Sequence, residues 1–364
     1  MTPSTESDVN KFLNSIELPG IGRTIAEVAR IIEAKAANDA ILARIELGFP
    51  AQNRLEAYRA HIAAALSAET GCEDVSVEMT TKIVAHGVQR NLKPLENVRN
   101  VIAIASGKGG VGKSTVAVNV ALALVAEGAR VGLLDADIYG PSQPHMVGLA
   151  GKQPQSEDGK TMRPLEAYGL QVMSIGFLID ADQPMVWRGP MVTSALQQLL
   201  HQTTWQDLDY LIVDMPPGTG DIQLTLSQQV PVSGAVIVTT PQNIATLDAR
   251  KGLAMFRKVS IPVLGVIENM STHVCSACGH EEPIFGAGGG EKMSQDFDVK
   301  LLGQLPLDAR IREQTDSGKP TVLADPDSAA AAAYRSAALN MAAAQAAQGR
   351  DYASKFPKIV VEDS

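Results

Sequence analysis

The chain has 364 residues, 45% hydrophobic and 20% charged, and its 40 acidic against 31 basic side chains give a formal net charge of −9. That balance disfavours a non-specific nucleic-acid coat, which needs an excess of Lys and Arg. No apolar run approaches the ~20 residues that cross a bilayer, and three cysteines make no disulfide framework.

The N-terminal "MTPSTESDVNKFLNS" lacks a charged-then-apolar signal pattern. A cytoplasmic protein with reduced thiols, no membrane partner and no nucleic-acid partner is therefore expected. Residues 1–92 read as a small α+β domain. Within it, "RTIAEVARIIEAKAANDAILARIEL" mixes a helical apolar period with a strand-like "AILARIEL". A second helix follows in "RLEAYRAHIAAALSAET", and "EDVSVEM" alternates as a strand should. The polar stretch around Pro94 supplies a linker at residues 93–99.

Across residues 100–348 the texture changes. Short β-branched runs ("NVIAIAS", "VGLLDAD", "LQVMSIG", "DYLIVDM", "GAVIVTT", "PVLGVIENM", "KLLGQLP") alternate with helical segments. Several are continuously apolar, as expected of strands covered on both faces. Helices between such strands imply right-handed crossovers and a doubly wound, mostly parallel α/β sheet. The Ala-rich "DPDSAAAAAYRSAALNMAAAQAAQ" is expected to close the domain as one helix, leaving residues 349–364 as a loosely ordered tail.

Between the first of these strands and its helix lies "GKGGVGKS", a match to G-x-x-x-x-G-K-[ST]. Gly107, Gly109, Gly110 and Gly112 let main-chain N–H groups approach phosphate. The following helix adds its dipole and its unpaired donors. With Val111 and Thr115 they form the expected ATP site, in which Lys113 reaches the β- and γ-phosphates and Ser114 binds Mg²⁺.

Two strands end in acids. "VGLLDADIYGPSQP" carries Asp135 and Asp137, and "DYLIVDMPPGTGD" carries Asp214. Ligands of open α/β sheets collect beyond these strand ends, so the carboxylates suit Mg²⁺ and water. Apolar residues leading into Asp214 are what a Walker-B position requires. The "PPGTG" after it combines stiffness with freedom at Gly218, as a γ-phosphate-sensing switch would.

Near the C-terminal side, "STHVCSACGHEEPIFG" places Cys275 and Cys278 two residues apart. An intrachain zinc site with His273 and His280, a dithiol redox centre and a structural thiol pair are each open readings. A fourth takes the pair as half a site, completed by the same two thiols of a second copy across a two-fold axis. Four thiolates then satisfy a 4Fe-4S cluster or zinc.

"GKGGVGKST" resembles the deviant phosphate loop of the superfamily of MinD/ParA ATPases, the nitrogenase iron protein and Mrp/ApbC-type iron–sulfur carriers. The run "SGKGGVGKST", "LLDADIYGPS", "VWRGPM", "DMPPGTGDIQLTL", "VTTPQ" and "ENMSTHVCSACGHEEPIFG" is similar in order to the Mrp/ApbC-type carriers. The resemblance implies a homodimer in which Lys108 reaches the partner's nucleotide. It assigns Asp137 to the attacking water, Asp135 to the Mg²⁺ surroundings and Asn269 to the adenine. It further implies an ATPase that bridges a labile 4Fe-4S cluster through Cys275 and Cys278, receives it from a scaffold and delivers it to apo-proteins. Trp187 and Arg188 are candidate interface residues. The N-terminal unit looks like a MIP18-like domain, although its loop "GFPAQNRLE" has no cysteine, and Cys72 reads as a partly buried thiol. A MinD/ParA-like partition or positioning role is disfavoured by the acidic C-terminus, since membrane-bound members end in a basic amphipathic helix. An electron-transfer role like that of the nitrogenase iron protein is the other alternative.

Overall fold

The structure is a computed structural model that describes residues 6–37, 40–89, 92–156, 158–178, 189–275 and 277–349. Trp187, Arg188 and the tail beyond Gly349 lie outside the described residues.

The N-terminal unit runs α1 (Glu6–Ser15), α2 (Ile25–Val28), β1 (Ala29–Ala37), β2 (Ala40–Leu47), α3 (Leu55–Thr70) and β3 (Asp74–Thr81). β1 and β2 are antiparallel, and β3 joins β2 in parallel. The helical period around "RTIAEVARII" yields only the single turn of α2. From Ala29 the chain alternates between half-buried and exposed positions and pairs with β2, so sheet pairing overrides the local helix formers. Phe49, Tyr58, Ile62 and Leu66 fill the space between α3 and the sheet.

The second domain opens with β4 (Val98–Ser106), α4 (Lys113–Ala126), β5 (Val131–Asp135) and α5 (Gln143–Met146). It continues through β6 (Leu165–Ala167), β7 (Leu170–Ser174), α6 (Gly189–Gln202), β8 (Leu208–Asp214) and α7 (Asp221–Gln229). Then come β9 (Gly234–Thr239), α8 (Asn243–Lys258), β10 (Val263–Glu268), β11 (His273–Val274) and β12 (Glu281–Glu282). The chain closes with α9 (Gly289–Phe297), β13 (Leu301–Gln304), α10 (Ala309–Asp316), α11 (Thr321–Ala324) and α12 (Ala329–Ala346).

Eight strands form one sheet in the order β13-β10-β9-β4-β8-β5-β7-β6, parallel apart from the β6–β7 pair. β4, β5, β8 and β9 are buried almost throughout because helices cover both faces, which explains their unbroken apolar runs. β4 sits between β8 and β9, so its C-terminal end opens where the chain turns to either side of the sheet. α12 lies against α4 and β13.

Between the domains, the segment after Thr81 is held to the second sheet. His86 donates from Nδ1 to Asn100 Oδ1 at 2.8 Å, and Gln89 Nε2 donates to the Ser227 carbonyl at 2.8 Å. The loop before α3 reaches the far end of α4. Asn53 N donates to Glu127 Oε2 at 3.0 Å, and Asn53 Nδ2 donates to the Ala126 carbonyl at 2.9 Å.

Candidate nucleotide and thiol sites

The loop from Gly107 to Gly112 leaves β4 and enters α4 at Lys113. Two of its glycines are required by geometry. A Cβ on Gly107 would lie 2.2 Å from the backbone of Asp248 in α8, and Gly112 sits at φ +78° with Asn269 Nδ2 2.3 Å from its missing Cβ. The backbone from Gly109 to Thr115 floors a cleft of about 240 Å³ whose walls include Lys108, Asp137 and Pro217. Gly218, at φ +99°, donates its N–H to the Ser106 carbonyl at 3.0 Å, which lays the "PPGTG" segment against the loop.

Lys113 is buried and ion-paired with Asp214, and its Nζ also lies 3.3 Å from Ser114 Oγ. Asp214 and Asp135 are neighbours in register on β8 and β5. Asp135 accepts from the Ser142 and Gln143 N–H groups at 2.9 and 3.0 Å, from Asp137 N at 3.2 Å and from Ser174 Oγ at 3.2 Å. Burial, reinforced by the Asp214 charge, nevertheless pushes the Asp135 carboxyl up to about 7. Burial also raises Asp137, against the pull of the Lys113 ammonium.

The structure thus gathers Lys108, Lys113, Ser114, Asp135, Asp137 and Asp214 around one cleft. Asn269 reaches the same loop from β10. Its Nδ2 donates to the Val111 carbonyl at 2.9 Å, and its N–H donates to the Thr239 carbonyl at 2.8 Å. In this arrangement the Asn269 amide braces the phosphate loop. Sequence reasoning missed Ser142, Gln143 and Ser174, which surround the paired acids. Only their nearness to the "DAD" strand end hints at them, since no motif specifies a glutamine there.

Cys275 and Cys278 occupy the turn between β11 and β12. Cys275 N donates to the His280 carbonyl at 2.9 Å, Gly279 N donates to the Cys275 carbonyl at 2.8 Å, and Gly279 takes φ +72°. The N–H groups of Ala277 and Cys278 point at the Cys275 sulfur and lower its pKa by stabilising the thiolate. Cys275 is half-buried and Cys278 exposed. His273 turns away, donating from Nδ1 to the Leu307 carbonyl at 3.0 Å. Among the described residues no group of three or more His, Cys, Asp or Glu side chains is placed to hold a metal, so the intrachain site with His273 and His280 is not assembled. Cys72 is half-buried in the N-terminal unit, with its Sγ 3.5 Å from the Asp74 carbonyl.

Large apolar side chains are exposed on segments that follow the C-terminal ends of the strands. Tyr139 follows β5, Ile244 and Leu247 open α8 after β9, and Val274 and Ile284 flank the cysteine turn after β10.

Residues 97–342 match the ParA family model described as NUBPL iron-transfer P-loop NTPase. An iron-sulfur cluster carrier protein of Pseudomonas fragi is 60% identical over 276 residues, covering 76% of this chain and 96% of that one. One from Haemophilus influenzae is 48% identical over 334 residues, 92% of this chain and 90% of its own. A solved nucleotide-binding protein of Archaeoglobus fulgidus, in complex with ADP, aligns at a TM-score of 0.54 and 34% identity, covering 62% of this chain and 88% of that one. With a family model spanning most of its length and relatives of this similarity, the chain belongs to the NUBPL iron-transfer P-loop NTPase family.

Proposed function

We propose that this protein carries a 4Fe-4S cluster as cargo between two copies of itself, using ATP binding and hydrolysis to hand the cluster to apo-proteins. The observation that carries this reading is the half-formed thiol site. Cys275 and Cys278 are preorganised by backbone N–H groups and a glycine turn, and the chain around them offers no third ligand among the described residues. A second copy, related by a two-fold axis, supplies the two missing thiolates. Such a site releases its cargo readily, because a small rotation of one subunit breaks two Fe–S bonds together. The exposed apolar side chains beside the phosphate loop and the cysteine turn support a paired face.

For hydrolysis, the oxygen donors of Ser114, Asp214 and Asp135 suit Mg²⁺, a hard cation that prefers such ligands. When bound, Mg²⁺ neutralises phosphate charge at the transferring group. Lys113 moves from Asp214 to the β- and γ-phosphates, freeing one carboxylate oxygen. Asp137, on the cleft wall, orients the attacking water, and Lys108 extends to the nucleotide of the other subunit. Donation by a scaffold, delivery to apo iron–sulfur proteins and a reducing compartment such as the cytosol fit thiols that must stay free.

The test is anaerobic reconstitution of wild type and of Cys275→Ala/Cys278→Ala, followed by incubation with an apo-enzyme that needs a 4Fe-4S cluster. Loaded wild type should be dimeric and activate the acceptor, and the double variant should do neither. A strictly monomeric loaded protein, or cluster retained without both thiols, would overturn the reading.

A further inference from the structure

Gln143 is fully buried beside the paired acids. Its Nε2 donates to Asp214 Oδ2 at 2.8 Å and to the Ser114 carbonyl at 3.0 Å. An ionised carboxylate and a carbonyl can only accept, so these partners fix which end of the amide faces them. The atom left over is Oε1, which is buried without a hydrogen-bond partner among the described residues. A buried acceptor in that condition is costly unless a donor arrives. The backbone N–H of Gln143 donates to Asp135 Oδ2 at 3.0 Å. One residue therefore touches Ser114, Asp135 and Asp214, the three groups assigned above to Mg²⁺.

We propose that Gln143 is a positioning residue for the Mg²⁺ site, an inference that rests on the Mg²⁺ reading of those three residues. Nε2 occupies Asp214 Oδ2, so only Oδ1, the oxygen paired with Lys113, is released when the lysine moves to phosphate. Oε1 is the acceptor for a water of the cation's hydration shell. Mg²⁺ usually keeps several of its waters, and each is a strong donor in need of an acceptor. The phosphate loop, the two acids and the cation are thereby linked through a single amide.

The experiment measures binding of a fluorescent ADP analogue to the full chain at varied Mg²⁺ and in EDTA, for wild type, Gln143→Met and Gln143→Asn. Thermal melting in EDTA checks that each variant is folded. Gln143→Met should raise the Mg²⁺ concentration for half-maximal effect by about tenfold, while affinity in EDTA changes less than about twofold. Gln143→Asn keeps an amide of shorter reach and should show the same pattern at a smaller size, which decides the matter if the methionine variant does not fold. An equal loss with and without Mg²⁺, or an unchanged Mg²⁺ dependence, would overturn the proposal and leave the Mg²⁺ reading standing. Wild-type binding indifferent to Mg²⁺ would remove that reading and this inference together.

Discussion

The Lys113 ammonium and the Asp214 carboxylate form an ion pair in which the lysine is 5% and the aspartate 0% exposed. Each offsets a charge that the sheet would otherwise bury alone. Lys113→Met should therefore destabilise the nucleotide-free protein by about 3 kcal/mol in urea denaturation, as expected when one partner of a buried pair is lost. Lys113→Met/Asp214→Leu should recover part of that loss, a non-additivity that a double-mutant cycle reads directly. The ATP hydrolysis proposed above should fall at least ~100-fold in both.

Asp135 sets a pH dependence. Folding raises its pKa from 3.8 to about 7, so the native protein keeps a proton that the unfolded chain has released. Its stabilising contribution is present in full below the unfolded value and is lost as pH rises through about 7. In EDTA, this contribution to the melting temperature should decline between about pH 4 and pH 7. Asp135→Asn should flatten that decline.

Gly107 is constrained by contact with α8. Gly107→Ala drives a methyl group into the Asp248 backbone, 2.2 Å away, where no flexible side chain can yield. The loop must shift, and nucleotide affinity measured by calorimetry should fall at least about tenfold because the N–H cradle is displaced.

Cys275 should be the more reactive of the pair. Its thiolate is stabilised by the N–H groups of Ala277 and Cys278, and the thiolate is the form that alkylates. Mass spectrometry after brief iodoacetamide treatment of cluster-free protein near neutral pH should find label at Cys275 before Cys278.

Much of this was legible because strong local patterns coincided with tertiary demands. The apolar runs into Asp135 and Asp214 announced buried parallel strands, and "GKGGVGKS" stood where a strand met a helix. Less visible was β1, whose Ala-, Glu- and Lys-rich sequence carries a helical period that pairing with β2 overrides. Gln143 was invisible for a different reason. Its place among Ser114, Asp135 and Asp214 comes from the convergence of separate strand ends, and one-dimensional spacing does not encode that. For the thiols, spacing identified the pair but left its partners open, and the turn of His273 toward Leu307 is a three-dimensional fact.

The domain contact is also testable. Glu127→Ala removes the carboxylate that accepts from Asn53 N and should cost about 1 kcal/mol, because Asn53 is exposed and water can replace the lost acceptor. Limited proteolysis should then cut faster between Thr81 and Val98.

Helix α4 begins at Lys113 and hands its last carbonyl, Ala126, to Asn53. Its 14 residues include no glycine or proline, so it acts as a rigid rod about 21 Å long. A tilt imposed at the phosphate end is carried, without a hinge to absorb it, to the surface on which the N-terminal unit rests. A nucleotide that tilts α4 is therefore expected to re-aim that unit as well. Spin labels on α3 and α8, which packs on β9 and β4, should report a change in separation when nucleotide is added, and an unchanged separation would count against that coupling.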